Sequence, residues 1–70
     1  MRYQYQLVIE PLSPEDGGGF LVTVPDLPGC ISDGDTHEEA LRNVEAAIDD
    51  WIDAMRELGQ EIPAPTYHAA

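Results

Sequence analysis

Apolar and polar residues alternate through the first ten positions, which is the pattern of a half-buried β-strand. The two faces of this predicted strand consist of Tyr3, Tyr5, Leu7 and Ile9 on one side and Gln4, Gln6, Val8 and Glu10 on the other. Residues 20–24 are rich in β-branched and aromatic side chains and predict a second strand, and the short segment of residues 30–34 is a candidate third strand. Residues 11–19 are rich in proline and glycine, so they predict the turn of an antiparallel hairpin.

The period of the pattern changes to that of a helix after Thr36. Thr36 and Glu39 have the spacing of a capping box, in which the threonine hydroxyl accepts a hydrogen bond from the Glu39 amide. Gly59 stands where a left-handed cap is expected at the other end. We therefore predict a helix from His37 to Leu58. Its apolar stripe consists of Leu41, Val44, Ile48, Trp51, Ile52, Met55 and Leu58.

These elements predict one α+β domain over residues 1–70, with a core in residues 3–65 and a loose tail in residues 66–70. A small antiparallel sheet of three strands packs against one long helix in the order β-β-β-α-(β). Residues 60–65 contain two prolines, so they are extended and are a candidate fourth strand at the sheet edge. One helix covers one sheet face; we expect the other face, with Val8 and Leu21 or a similar set, to meet a second copy of the chain.

The chain has 70 residues and a single cysteine, Cys30, so no disulfide within it can reinforce the small core. Association with another chain is therefore expected. The longest apolar run is Leu7–Ile9, which is far too short to cross a membrane, and the first residues lack the apolar stretch of a signal peptide. Together with the unpaired thiol, these features predict a cytoplasmic protein.

The net charge is the strongest indication of which partners the chain can bind. Three arginines, no lysines and 14 acidic residues give a formal net charge of −11. Nucleic-acid binding depends on cations that displace counterions, so we expect no direct binding of DNA or RNA by this chain. A basic protein is the complementary partner. The alternative is that the acidic residues only keep a small protein soluble.

Acidic residues recur every four positions along the predicted helix, in the column Glu45, Asp49, Asp53 and Glu57. Like charges at this spacing repel by a few tenths of a kcal/mol per pair. The column is either a solvated helix face or a strip placed to meet a basic partner. Three further candidate contacts precede the helix, namely Asp26, Asp33 and Asp35.

Other candidate chemistry is weak. His37 and His68 are far apart and have no cluster of cysteine or histidine around them, so we predict no metal site and no cofactor. Cys30 is expected to be a buried core thiol, because its many acidic neighbours do not activate a nucleophile. No catalytic residue is predicted. A residual metal-dependent nuclease using Glu10, Asp26 and Asp33 is the alternative that would make this chain an enzyme.

Four motifs occur in a specific order: Pro-Asp-Leu-Pro-Gly-Cys at residues 25–30, Gly-Asp-Thr-His-Glu-Glu-Ala at 34–40, residues 43–48, and residues 59–65 with Ile-Pro-Ala-Pro. In this order they resemble the HicB antitoxin family. The N-terminal segments Tyr5–Glu10 and Gly19–Val22 fit the family as well. The resemblance extends from about Tyr3 to Pro65, which is almost the whole chain.

This resemblance implies an antitoxin of a type II toxin–antitoxin system. HicB proteins neutralise HicA, a small basic mRNA endoribonuclease with a catalytic histidine. Their N-terminal domain resembles a truncated RNase H fold without nuclease activity, and they assemble as dimers or tetramers. Typical members continue into a DNA-binding domain; this sequence stops five residues after Pro65, so we expect that domain to be missing. The alternative is an orphan homo-oligomeric protein-binding module without a toxin partner.

Overall fold

A computed structural model describes residues 3–65 of the chain. It contains strand β1 (Val8–Pro11), a single 3-10 turn (Pro14–Asp16), strands β2 (Phe20–Thr23) and β3 (Ile31–Gly34), and helix α1 (His37–Glu57). The strands form an antiparallel sheet in the order β1-β2-β3, and α1 packs on β2 and β3. The predicted α+β arrangement is therefore confirmed, whereas the likeness to an RNase H fold stays a prediction.

The first strand is shorter than the predicted residues 3–10. Pairing begins at Val8 because its partner Thr23 is the last residue of β2, so the preceding residues have no strand beside them. Tyr3, Tyr5 and Leu7 nevertheless lie half-buried against the core. The alternating pattern thus marked an extended segment with one buried side, of which only the end forms a ladder.

The hairpin between β1 and β2 is confirmed, and its residues explain its shape. The Ser13 hydroxyl caps the 3-10 turn by accepting a hydrogen bond from the Asp16 amide (3.3 Å). The three glycines at residues 17–19 then adopt φ angles of 101°, 69° and 76°, in the left-handed region that favours glycine. The Leu12 amide donates to the Gly19 carbonyl (2.8 Å), which closes the loop.

Both ends of α1 follow the predicted chemistry. The Thr36 hydroxyl accepts a hydrogen bond from the Glu39 amide (3.1 Å), as expected for the N-cap. At the other end Gly59 has a φ of 70°, and its amide donates to the Arg56 carbonyl (3.1 Å). The Gln60 amide donates to the Met55 carbonyl (2.9 Å), and the two bonds together form a Schellman motif. The helix ends one residue before the predicted Leu58.

The buried core is formed by Val22, Val24, Leu27, Cys30, Ala40, Val44, Ile48 and Ile52. The helix contributes every fourth residue from Ala40 to Ile52, so the predicted stripe is correct in its middle and wrong at its end, where Leu58 is 67% exposed. The physical reason is length: α1 extends about 31 Å, whereas each four-residue strand extends only about 13 Å. The end of the helix therefore lies beyond the sheet.

Strand β1 lies outside the cover of the helix. Ile9 is paired with the fully buried Val22, so its side chain lies on the helix side of the sheet, as the alternation predicted. It is still 37% exposed, because α1 packs on β2 and β3. A single helix thus leaves part of even its own side of the sheet open.

The candidate fourth strand is not formed. Residues 60–65 form no strand, and Pro63 and Pro65 have no N–H with which to join a ladder. Instead Ile62 packs against the core, and the Tyr5 hydroxyl donates to the Pro63 carbonyl (2.5 Å). The segment therefore covers the part of the core that extends beyond the sheet. The predicted tail in residues 66–70 lies outside the described residues.

Helix and sheet approach each other most closely at Gly34. A Cβ atom at this position would lie 2.4 Å from the backbone nitrogen of Ala40 and 2.8 Å from its Cα, distances that real Cβ atoms do not show. The φ angle of Gly34 is not positive, so the requirement is for an absent side chain and not for an unusual backbone. This contact determines where the helix begins on the sheet.

The Gly34 contact can be tested by adding one methyl group. We expect Gly34→Ala to lower the free energy of unfolding by about 3 kcal/mol, because backbone atoms of α1 must move to admit the Cβ. Gly17→Ala is the matched control: its Cβ would meet nothing within 4 Å, so only the strain of its left-handed backbone remains, about 1 kcal/mol. Urea unfolding at one fixed protein concentration measures both. An equal or smaller loss for Gly34→Ala would contradict the close approach.

Candidate protein-binding surfaces

The motif at residues 25–30 builds the core. Leu27 is fully buried, its amide donates to the Val24 carbonyl (3.0 Å), and its carbonyl accepts from the Cys30 amide (2.9 Å). The indole N–H of Trp51 donates to the Pro28 carbonyl (2.9 Å), which ties the loop to α1. Packing thus explains Leu27 and Cys30 of this motif, and the Trp51 hydrogen bond holds its Pro28 backbone.

Cys30 lies in this loop and is only 3% exposed, as predicted for a core thiol. Burial raises the pKa of the Cys30 thiol above its ordinary value, because the thiolate is poorly solvated there. The neutral thiol therefore persists at physiological pH, and Cys30 acts as a small apolar side chain.

The acidic column of α1 is divided by the fold. Asp53 and Glu57 are exposed, whereas Glu45 and Asp49 are half-buried. The Tyr3 hydroxyl donates a hydrogen bond to the Asp49 carboxylate, so this carboxylate also anchors the N-terminal segment. The column consequently has an exposed half at the end of the helix and a half that takes part in packing.

The three acidic residues before α1 do not join the column. Asp26 is half-buried in the loop of residues 25–30, and Asp35 is exposed between β3 and α1. Asp33 is exposed and paired with Leu21, whose neighbour Val22 is buried under the helix. Because side chains alternate along a strand, Asp33 lies on the side of the sheet away from α1.

That side of the sheet is a second candidate surface, which we call the outer sheet face. The strand register places its six residues in two rows across the strands, Val8–Thr23–Ile31 and Glu10–Leu21–Asp33. Val8 is 39% exposed and Ile31 is 53% exposed. The face therefore carries three apolar side chains, Val8, Leu21 and Ile31, with one carboxylate at each edge of the second row.

The sequence pattern predicted Val8 and Leu21 on this face. It did not predict that Glu10 and Asp33 occupy the two ends of one row, with Leu21 between them. The alternation of β1 put Glu10 on the same side as Val8, and only the register of both strand pairs brings Asp33 beside them. Had the turn length between β2 and β3 been known, this register could have been predicted.

Both sheet edges carry features that discourage a further strand. The Asn43 side-chain amide donates to the Asp33 carbonyl (2.8 Å), so α1 occupies an outward acceptor of β3. On β1, the Leu12 amide donates to the Gly19 carbonyl beside β2. Because backbone groups alternate in direction along a strand, the backbone nitrogen of the preceding Pro11 lies on the outer edge, where it has no N–H to donate. Each edge is therefore interrupted at one position, which disfavours the addition of a further strand.

The carboxylates of the alternative nuclease are not brought together. Glu10 and Asp33 are separated by the whole of β2, about 10 Å between backbones, and Asp26 lies in a loop. Among residues 3–65 no three side chains of histidine, cysteine, aspartate or glutamate are grouped so that they could hold a metal ion. Within the same residues no helix is long and apolar enough to span a membrane.

The sequence is similar to one known protein family and to several of its relatives. The sequence model of the HicB-like antitoxins of bacterial toxin–antitoxin systems matches residues 5–69. Antitoxin HicB 1 of Photorhabdus laumondii is 38% identical over 65 residues, and a UPF0150 protein of Thermoplasma acidophilum is 36% identical over 52 residues. A 14.9 kDa protein from the rep-hol intergenic region of Haemophilus phage HP1 is 42% identical over 59 residues.

These relatives differ in length. The matched part covers 84% of this chain but 41% of the phage protein, and 89% of this chain but 38% of Antitoxin HicB 1. For the Thermoplasma protein the shares are 74% and 75%. The chain thus spans about two fifths of its longer relatives.

The buried thiol predicts a dependence of stability on pH. Because the pKa of Cys30 is raised above the ordinary value of 9.0, the folded protein keeps this proton after the unfolded chain has lost it. The contribution of the Cys30 thiol to stability is complete below the pKa of the unfolded chain and is lost as the pH rises through the higher pKa of the folded protein. We expect the free energy of unfolding to fall more steeply from about pH 8 to pH 10.5 in the wild type than in Cys30→Ala. Both proteins contain the same tyrosines, so any difference between them comes from Cys30. Equal slopes of the unfolding free energy against pH would contradict the prediction.

Proposed function

The chain belongs to the family of HicB-like antitoxins, and from this membership we propose that it binds and neutralises a basic mRNA endoribonuclease toxin of the HicA type. The match over residues 5–69 carries the proposal, and two relatives named Antitoxin HicB support it. The protein acts by occupying the toxin, without catalysis, metal or cofactor of its own.

Charge supplies a physical reason for this pairing. A ribonuclease that holds RNA needs a cationic surface, and this chain has a net charge of −11. Its carboxylates compete for that surface by standing where phosphates would lie. Attraction of this kind speeds association and weakens with salt. The proposed contacts are Glu45, Asp49, Asp53, Glu57, Asp26, Asp33 and Asp35.

Among these contacts, the exposed pair Asp53 and Glu57 is best placed to attract a partner, because both carboxylates stand in solvent at one end of the helix. Asp33 and Asp35 are also exposed, and they precede the start of α1. We also propose that the protein is a cytoplasmic homo-oligomer, a dimer or tetramer, since one small core gives little stability.

A second candidate is an orphan module of the same fold, with another protein partner. The Thermoplasma relative supports it, because the matched part covers 75% of that protein and its name specifies no toxin or antitoxin. The neighbouring reading frame separates the two: a short basic frame beside the gene favours the antitoxin, and its absence favours the orphan.

The antitoxin function is tested with a HicA-type toxin, for which the product of a short basic reading frame beside the gene is the candidate. We expect an equimolar amount of this protein to abolish RNA cleavage, and the Kd to rise with salt. Reversing Asp53 and Glu57 to lysine should raise the Kd at least about tenfold at low salt. Reversing the exposed Glu15 and Asp50 is the control with the same change in net charge, and it should raise the Kd less than about threefold. Undiminished cleavage at low salt would refute the function.

A further inference from the structure

The outer sheet face is an exposed apolar surface that no element of the described chain covers. Val8 and Ile31 stand at the two edges of one row, 39% and 53% exposed, with Thr23 between them. Neither edge strand can easily accept another strand, since Asn43 and Pro11 interrupt the two edges. Each edge is thus interrupted at one position, whereas the face presents an uninterrupted surface to a partner.

The size of the face limits what that partner can be. Three strands of four residues give a surface of about 10 by 13 Å, or roughly 130 Å². A stable protein–protein contact buries about 800 Å² on each side. Any partner must therefore also contact residues around the face. Within the face itself, the charged groups are the carboxylates of Glu10 and Asp33, both exposed.

These carboxylates argue against a second copy of the chain. Stacking two outer sheet faces would bring four carboxylates into one small contact between molecules that each carry −11. Burial of such groups without cations is costly. With a basic partner the electrostatic interaction becomes favourable, because the partner's lysine or arginine side chains pair with the same carboxylates.

We infer that the outer sheet face is the apolar centre of the toxin contact, and that the toxin presents apolar side chains there between two basic residues about 10 Å apart. The inference rests on the proposed function and locates it on the molecule. The helix column, on the other layer, attracts the toxin at long range, while the outer sheet face holds it once bound. Column charges therefore affect the association rate, and the face affects the dissociation rate.

The test measures both rates on an immobilised HicA-type toxin whose catalytic histidine is replaced by alanine. Val8→Thr with Ile31→Thr removes apolar area but keeps the β-branched shape that strands favour. We expect this variant to dissociate at least about tenfold faster, with little change in association. Leu58→Thr is the matched control, because Leu58 is 67% exposed and lies beyond the end of α1; its rates should stay within about twofold of the wild type.

A second pair of variants addresses the carboxylates. Glu10→Gln with Asp33→Asn neutralises the face and should raise the dissociation rate at least about fivefold. Glu15→Gln with Asp50→Asn makes the same change in net charge elsewhere and should leave that rate nearly unchanged. Circular dichroism and urea unfolding verify that each variant is folded before its rates are compared.

The outcomes separate the two proposals. If the wild type does not bind the toxin, the proposed function fails and this inference fails with it. If the wild type binds and the face variants dissociate as the wild type does, only the inference is overturned. If sedimentation shows that the wild type is a dimer and Val8→Thr with Ile31→Thr makes it a monomer, a second copy occupies the face, and the inference is also overturned.

Discussion

A single helix can cover only one face of a sheet, and this limit shapes the whole molecule. The helix is fixed by backbone contact between Gly34 and Ala40, where no side chain fits between the two layers. From that point it passes over β3 and β2 and leaves β1 and the opposite face of the sheet open. What the protein binds is determined by what this one layer of cover leaves exposed.

The same shortage of cover explains the loops. Because α1 is longer than the strands, its far half needs other partners, and these are the loop with Leu27 and Cys30 and the segments before β1 and after α1. Trp51 and Tyr5 hold these segments through hydrogen bonds to backbone carbonyls. The buried and hydrogen-bonded residues of these motifs, such as Leu27 and Cys30, therefore owe their place to packing.

Local chemistry made the helix predictable, and long-range pairing limited the rest. Thr36, Glu39 and Gly59 act within a few residues of themselves, so both ends of α1 could be located from the sequence to within one residue. The start of β1 could not, because it depends on where β2 ends, and residues 60–65 were extended without finding a strand to pair with. The candidate site shows the same division: the helix column follows from spacing, whereas only the register of two strand pairs places Glu10 and Asp33 at the two ends of one row, on either side of Leu21.

We expect a basic toxin to bind this acidic protein through its one uncovered apolar sheet face. A crystal structure of the protein with the catalytically inactive HicA-type toxin is the decisive test. We predict that Val8 and Ile31 are buried against the toxin, with a lysine or arginine within salt-bridge distance of each of the Glu10 and Asp33 carboxylates. A complex in which the toxin contacts only the helix layer, while the outer sheet face meets solvent or a second copy, would contradict it.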